Sequence, residues 1–94
     1  MSDGRITVMA RVSGRVQGVG YRAWVHGRAV GLGLRGWVRN EADGSVTALL
    51  EGPEAAVEEM LAAMDAGPRL AAVDEVTRGA ADGAEVPARF EIRR

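Results

Sequence analysis

Asp43-Gly44 stands between two runs of strand-forming residues, 34–40 and 45–51. An Asp-Gly step in that setting is a strong hairpin signal, because both residues tolerate the positive φ angles that a tight turn between twisted strands demands. The two runs are then antiparallel neighbours, and Val46, Ala48 and Leu50 share one face of the second. The hairpin also closes a route. A doubly wound parallel sheet needs the strand at 34–40 to lead into another crossover, and here it turns straight back.

The flanking segments fit around this hairpin. Residues 5–13 alternate, with Ile6, Val8, Ala10 and Val12 on one side and Arg5, Thr7, Met9 and Arg11 on the other, which is the pattern of a half-buried strand. A glycine-rich run, 14–20, breaks the alternation. From residue 21 to about 33 the spacing is helical, with Val25, Ala29 and Leu32 on one stripe. Gly27 interrupts this helix at a cost of roughly 1 kcal/mol against Ala. After the hairpin, Gly52-Pro53 ends the strand and sets Pro in the first turn of a second helix. Glu54, Glu58 and Glu59 form a solvated helix start, and Val57, Met60, Leu61 and Met64 form the buried stripe. Gly67-Pro68 stops it. A weaker strand follows at 72–78, then a loop of small residues at 79–88, then a short last strand at 89–93 with Phe90 and Ile92 facing in. The order is β-α-β-β-α-β with a short fifth strand. It predicts an α+β, ferredoxin-like two-layer sandwich with a mostly antiparallel sheet, as one domain over 1–94.

Composition removes whole classes of chemistry. All twelve basic residues are Arg, so a Schiff-base lysine and a P-loop lysine are absent. Without Cys there is no disulfide, no thiolate nucleophile and no sulfur-bound zinc, and His26 alone makes no His-pair metal site. Net charge is −1 but unevenly spread: residues 1–47 carry seven Arg against three acids, and 48–94 carry five Arg against ten. No acid lies anywhere between Arg5 and Arg39. Such a stretch either attracts an anion or forms a polar face matched to the acidic second half. No run approaches the ~18 apolar residues of a membrane helix, so a cytoplasmic protein is expected, with no membrane partner.

The segment Gly14-Arg15-Val16-Gln17-Gly18-Val19-Gly20-Tyr21-Arg22 joins the first strand to the first helix. Backbone N–H groups that run into a helix N-terminus form an anion cradle, since orphan donors and the helix dipole point the same way. Arg22 places a cation where that dipole disfavours one, and its planar fork suits phosphate oxygens. The residues alone leave two readings open: a plain tight turn, or a small phosphate or acyl-phosphate site. Gly18-x-Gly20-x-x-Ala23 also matches a dinucleotide fingerprint, but the hairpin that follows is the wrong context for one. An RNA-binding module has this element order too, yet of Tyr21, Trp24, Trp37 and Phe90 only Trp37 suits a stacking platform, and no nucleic-acid partner is expected.

The blocks GRVQGVGYR, GLRGWVRN and DGSV, in that order and spacing, resemble the acylphosphatase family, as do Gly52-Pro53 and Phe90-Glu91-Ile92. The resemblance covers nearly the whole chain. It implies the same sandwich fold and a hydrolase that splits the carboxyl–phosphate bond of small acyl phosphates into carboxylate and inorganic phosphate. It further implies no metal, no cofactor, inorganic phosphate as a product that inhibits, and a monomer. By position, Arg22 matches the arginine that binds the phosphoryl group and Asn40, 18 residues on, the asparagine that orients the attacking water. Arg15, Val16, Gln17, Gly18, Val19 and Gly20 match the loop whose N–H groups wrap the phosphate. Gly20 stands where members vary, Gly27 loosens the first helix, and Glu41 sets a negative charge beside Asn40. His26 and Trp24 read as packing, Trp37 as a cover on the open sheet face, and Arg35 and Arg39 as its solvated or paired neighbours.

Overall fold

In the computed structural model, which describes residues 4–94, the alternating segment is strand β1 (Arg5–Arg15). Asp3, counted in the charge balance, lies outside the described residues. Val8, Ala10 and Val12 are buried, while Arg5 and Arg11 are exposed on the other face. Helix α1 (Tyr21–Gly31) buries Tyr21, Val25 and Ala29, so its stripe starts one turn before Val25. The hairpin joins β2 (Arg35–Asn40) to β3 (Val46–Pro53). Helix α2 (Glu54–Ala66) buries Val57, Met60, Leu61 and Met64, the four expected from spacing. Pro53 is its N-cap rather than a member of its first turn. Its extended backbone lets the residue close β3 and open α2 at once.

Two strands differ from expectation. β4 spans Ala72–Ala80, longer than its weak pattern indicates, because pairing with β1 through Val8↔Ala80 holds its small residues in place. β5 is only Glu91–Arg93. Phe90 is buried beside it as expected, but Ile92 is 47% exposed. Ile92 pairs with Val38 on the helix side of the sheet, yet β5 is the edge strand and leaves it in the open.

The sheet order is β4-β1-β3-β2-β5. β1–β4, β1–β3 and β2–β3 are antiparallel, and β2–β5 is parallel. It follows that β1, β2 and β5 run one way and β3 and β4 the other. The C-terminal ends of β1, β2 and β5 thus meet at one end of the sheet, which is what positions the site. Both helices cover one face: α2 packs on β1, β3 and β4, and α1 on β2 and β5. The core fills the space between, with Leu50, Met60, Met64, Val25 and Val38 fully enclosed.

The other face is stitched by charge. Glu51 of β3 accepts two hydrogen bonds from Arg5 of β1, each 3.0 Å, and one from Arg35 of β2 at 2.9 Å. Arg5, foremost, holds the Glu51 carboxyl below the usual carboxylate range. Trp37 lies on this face and is still only 6% exposed, because Leu49 lies across from it and the guanidiniums of Arg39 and Arg93 cover its ring at 4.7 and 5.2 Å. Trp37 is thus wrapped by arginines, leaving no bare ring for a base to stack on.

Candidate active site

Three chain ends converge where β1, β2 and β5 finish. β1 leads into the glycine loop and then into the N-terminus of α1; β2 ends on Asn40; β5 brings in Ile92 and Arg93. Val16, Gln17, Gly18, Gly20, Arg22 and Asn40, with Ile92 at hand, line one cavity of about 230 Å³. Val16 and Asn40, 24 positions apart in sequence, are brought together by the shared direction of β1 and β2.

The loop is shaped by backbone conformation. Gly18 and Gly20 adopt φ of 78° and 77°, a region in which a side chain is strained, and neither is crowded by a neighbour. Gly20 is the N-cap of α1, and the first helical bond runs from the Trp24 N–H to the Gly20 carbonyl at 3.0 Å. The N–H groups of Tyr21, Arg22 and Ala23 are therefore the orphan donors of the helix start. Among the described residues, no acidic side chain occupies that first turn. The helix start is anchored by Tyr21, whose hydroxyl donates to the Met64 carbonyl of α2 at 2.9 Å. Burial pushes the Tyr21 phenol well above its ordinary range, so it stays a donor. Trp24 packs on Tyr21 with ring centroids 5.5 Å apart, and Arg28 covers Trp24 in turn.

Arg22 is half-buried, and its Nη1 donates to the Arg93 carbonyl of β5 at 2.9 Å. Among the described residues it forms no ion pair, which leaves its charge to the cavity. Asn40 shares the helix side of β2 with Gly36 and Val38. Its Oδ1 is buried and has no hydrogen-bond partner among the described residues. A buried acceptor without a partner costs on the order of 1–3 kcal/mol, so it marks a place meant for a further donor.

The loop and the Asn40 hairpin are tied together by Gln17. Its Nε2 donates to the carbonyls of Glu41 and Ser45 at 2.8 and 2.9 Å. The hairpin itself is closed by the Glu41 N–H to the Ser45 carbonyl at 2.8 Å, and Asp43 accepts from both the N–H and the hydroxyl of Ser45. Sequence reasoning assigned Gln17 to the loop backbone and missed this side-chain role. A glutamine in an otherwise apolar and glycine run was the available signal, but its acceptors are carbonyls, which carry no mark in a sequence.

Other expected members are placed differently. Arg15 is exposed at the end of β1, opposite Ala72, and Val19 packs against the core; neither lines the cavity. The Glu41 carboxylate turns away from the site: it accepts from Arg39 at 2.8 Å and lines a separate surface cavity with Arg11, Asp43 and Thr47. That bond, foremost, holds its carboxyl below the usual range. His26 stands edge-on to Phe90 at 6.1 Å, outside the site. Of the arginines between 5 and 39, Arg5, Arg11, Arg35 and Arg39 pair with carboxylates, so the acid-free stretch is mostly a matched polar face and Arg22 is its exception at the site. Among the described residues, no three His, Asp or Glu side chains gather as a metal site, and no helix is long and apolar enough to cross a membrane.

The family model for acylphosphatase matches residues 8–92. The chain belongs to the acylphosphatase family. The acylphosphatase of Rhizobium meliloti strain 1021 is 50% identical over 94 residues, covering 100% of this chain and 99% of that one. Among solved structures, the acylphosphatase from Bacillus subtilis superimposes with a TM-score of 0.89 at 36% identity, over 95% of this chain and 99% of that one. The acylphosphatase from Coxiella burnetii does so with a TM-score of 0.89 at 31% identity, over 96% and 94%. The ferredoxin-like sandwich expected from the element order is the fold of these acylphosphatases, and the chain is a hydrolase of that family.

Proposed function

We propose that this acylphosphatase hydrolyses small acyl phosphates without a metal or cofactor, with Arg22 and the loop 16–20 binding the phosphoryl group and Asn40 orienting the attacking water. The observation that carries the reading is the meeting of an unpaired Arg22, orphan helix N–H groups and the unpartnered Asn40 Oδ1 in one cavity.

The chemistry asks for little more. The water oxygen bonds to phosphorus as the bond from phosphorus to the acyl oxygen breaks, and the acyl group leaves as a carboxylate. Its conjugate acid has a pKa of roughly 4 to 5, so it needs no proton from a general acid at neutral pH. The proton of the water passes to a phosphoryl oxygen and leaves with inorganic phosphate. What remains is positioning and charge stabilisation, the main demands of phosphoryl transfer. Arg22, held by the Arg93 carbonyl, supplies a fixed fork to the phosphoryl oxygens, and the loop N–H groups add donors that need no reorganisation. Asn40 Oδ1 accepts from the water and so sets its lone pair toward phosphorus. Inorganic phosphate, which presents the same oxygens, inhibits as a product.

The test is hydrolysis of benzoyl phosphate in the presence of a chelator. Wild type is expected to be active; Asn40→Ala and Arg22→Ala are expected to lose on the order of a hundredfold or more in kcat/KM. Arg22→Lys is expected to fail as well, since a point charge does not replace the fork. Activity abolished by the chelator, or retained by both alanine variants, overturns the reading. An alkyl phosphate hydrolysed as fast as benzoyl phosphate overturns the leaving-group account.

A further inference from the structure

The residues of β5 divide by face. Glu91 and Arg93 lie on the open side of the sheet, where they pair with each other and Arg93 covers Trp37. Strand alternation sends Ile92 to the other side, and Arg94, just past the end of β5, lines a cavity with it. There a second cavity, of about 540 Å³, adjoins the first: it shares Arg22, Asn40 and Ile92 and adds Arg94. No Asp or Glu side chain lines it.

Among the described residues, the ion pairs take up Arg5, Arg11, Arg35, Arg39, Arg78 and Arg93. Arg22 and Arg94, the two that line the adjoining cavities, take part in none. These pairs involve six of the twelve arginines; Arg22 and Arg94 are two of the remainder that meet beside an apolar side chain, Ile92, common to both cavities.

We propose that the second cavity receives the acyl part of the substrate, and that Arg94 selects acyl phosphates whose carbon skeleton carries a second carboxylate. The inference rests on the placing of the phosphoryl group against Arg22 given above. A phosphoryl group held in the loop directs the rest of the substrate past the residues the two cavities share. Ile92 then packs against its carbon skeleton. The Arg94 guanidinium offers forked donors that match a carboxylate, and no Asp or Glu side chain in the lining competes for it. Arg94 is thus a specificity-determining residue, with no part in breaking the phosphate bond.

A rigid pair of substrates tests this: benzoyl phosphate and 4-carboxybenzoyl phosphate, whose leaving groups are benzoates without and with a distal carboxylate. The readout is the ratio of their kcat/KM values, which cancels any shared effect on folding or chemistry. Arg94→Gln is expected to lower the ratio roughly fivefold relative to wild type, the size that one solvent-exposed ion pair supports, and Arg94→Glu to lower it further. Raising ionic strength is expected to lower the wild-type ratio toward that of Arg94→Gln. A ratio unmoved by both substitutions and by salt overturns the inference while leaving the functional reading intact. A wild-type protein that hydrolyses neither compound overturns both.

Discussion

At the scale of single residues, Gln17 shows how a site can depend on a side chain that ties backbone to backbone. Its amide joins two carbonyls of the Asn40 hairpin to the loop, so the glycine loop and Asn40 share one register. Gln17→Ala removes one of two donors from each carbonyl, since the Gly44 N–H still serves Glu41 and the Glu41 N–H still serves Ser45, at roughly 1 kcal/mol of stability. We expect it to lower kcat/KM for benzoyl phosphate about tenfold, since small misplacements are costly in positioned catalysis. Gln17→Glu is expected to be worse in both respects, because a carboxylate would face two carbonyl oxygens with no proton to give. Thermal melts together with steady-state kinetics check both variants. A Gln17→Glu protein as stable and active as wild type would mean that these bonds are not the tie described here.

Among the elements, α1 carries an avoidable weakness. Gly27 is exposed inside the helix, and a Cβ built there meets nothing within 4 Å. Gly27→Ala is expected to stabilise the protein by about 1 kcal/mol, a rise of roughly 4–8 °C in Tm for a domain of this size, which a melting curve measures directly. The elements were also the level most open to sequence reading. Period-two alternation in β1, the α2 stripe and Asp43-Gly44 are local patterns, and each is realised in the fold. Ile92 was expected to face in, and it does lie on the helix side, but exposure depends on where β5 stands in the sheet, which no local pattern states. β4 extends to Ala80 for the same reason: its partner decides its length. Arg22 and Asn40 stood out through a resemblance and an unwelcome cation, whereas the fate of Glu41 turned on an ion pair with Arg39 two residues earlier.

For the whole molecule, the open face of the sheet ties stability to pH. Glu51 joins β1, β3 and β2 through Arg5 and Arg35, and its carboxyl is lowered in the folded state. A lowered carboxyl stabilises above its unfolded pKa, near 4.3, and loses that contribution as pH falls through the folded value. Glu51→Gln is therefore expected to unfold at lower urea concentration than wild type at pH 7, with the gap narrowing below about pH 4. An equal gap at pH 7 and pH 3 would show that packing, not charge, ties the strands there. Along the chain, meanwhile, the bond from Arg22 to the Arg93 carbonyl spans 71 residues. Closing so long a loop costs entropy, and it cannot begin before its far end exists. During synthesis the loop, the first helix and the Asn40 hairpin all emerge from the ribosome well before residue 93. Until then Arg22 lacks the carbonyl that holds it, so a nascent chain has the loop, helix and hairpin without the bond that braces Arg22.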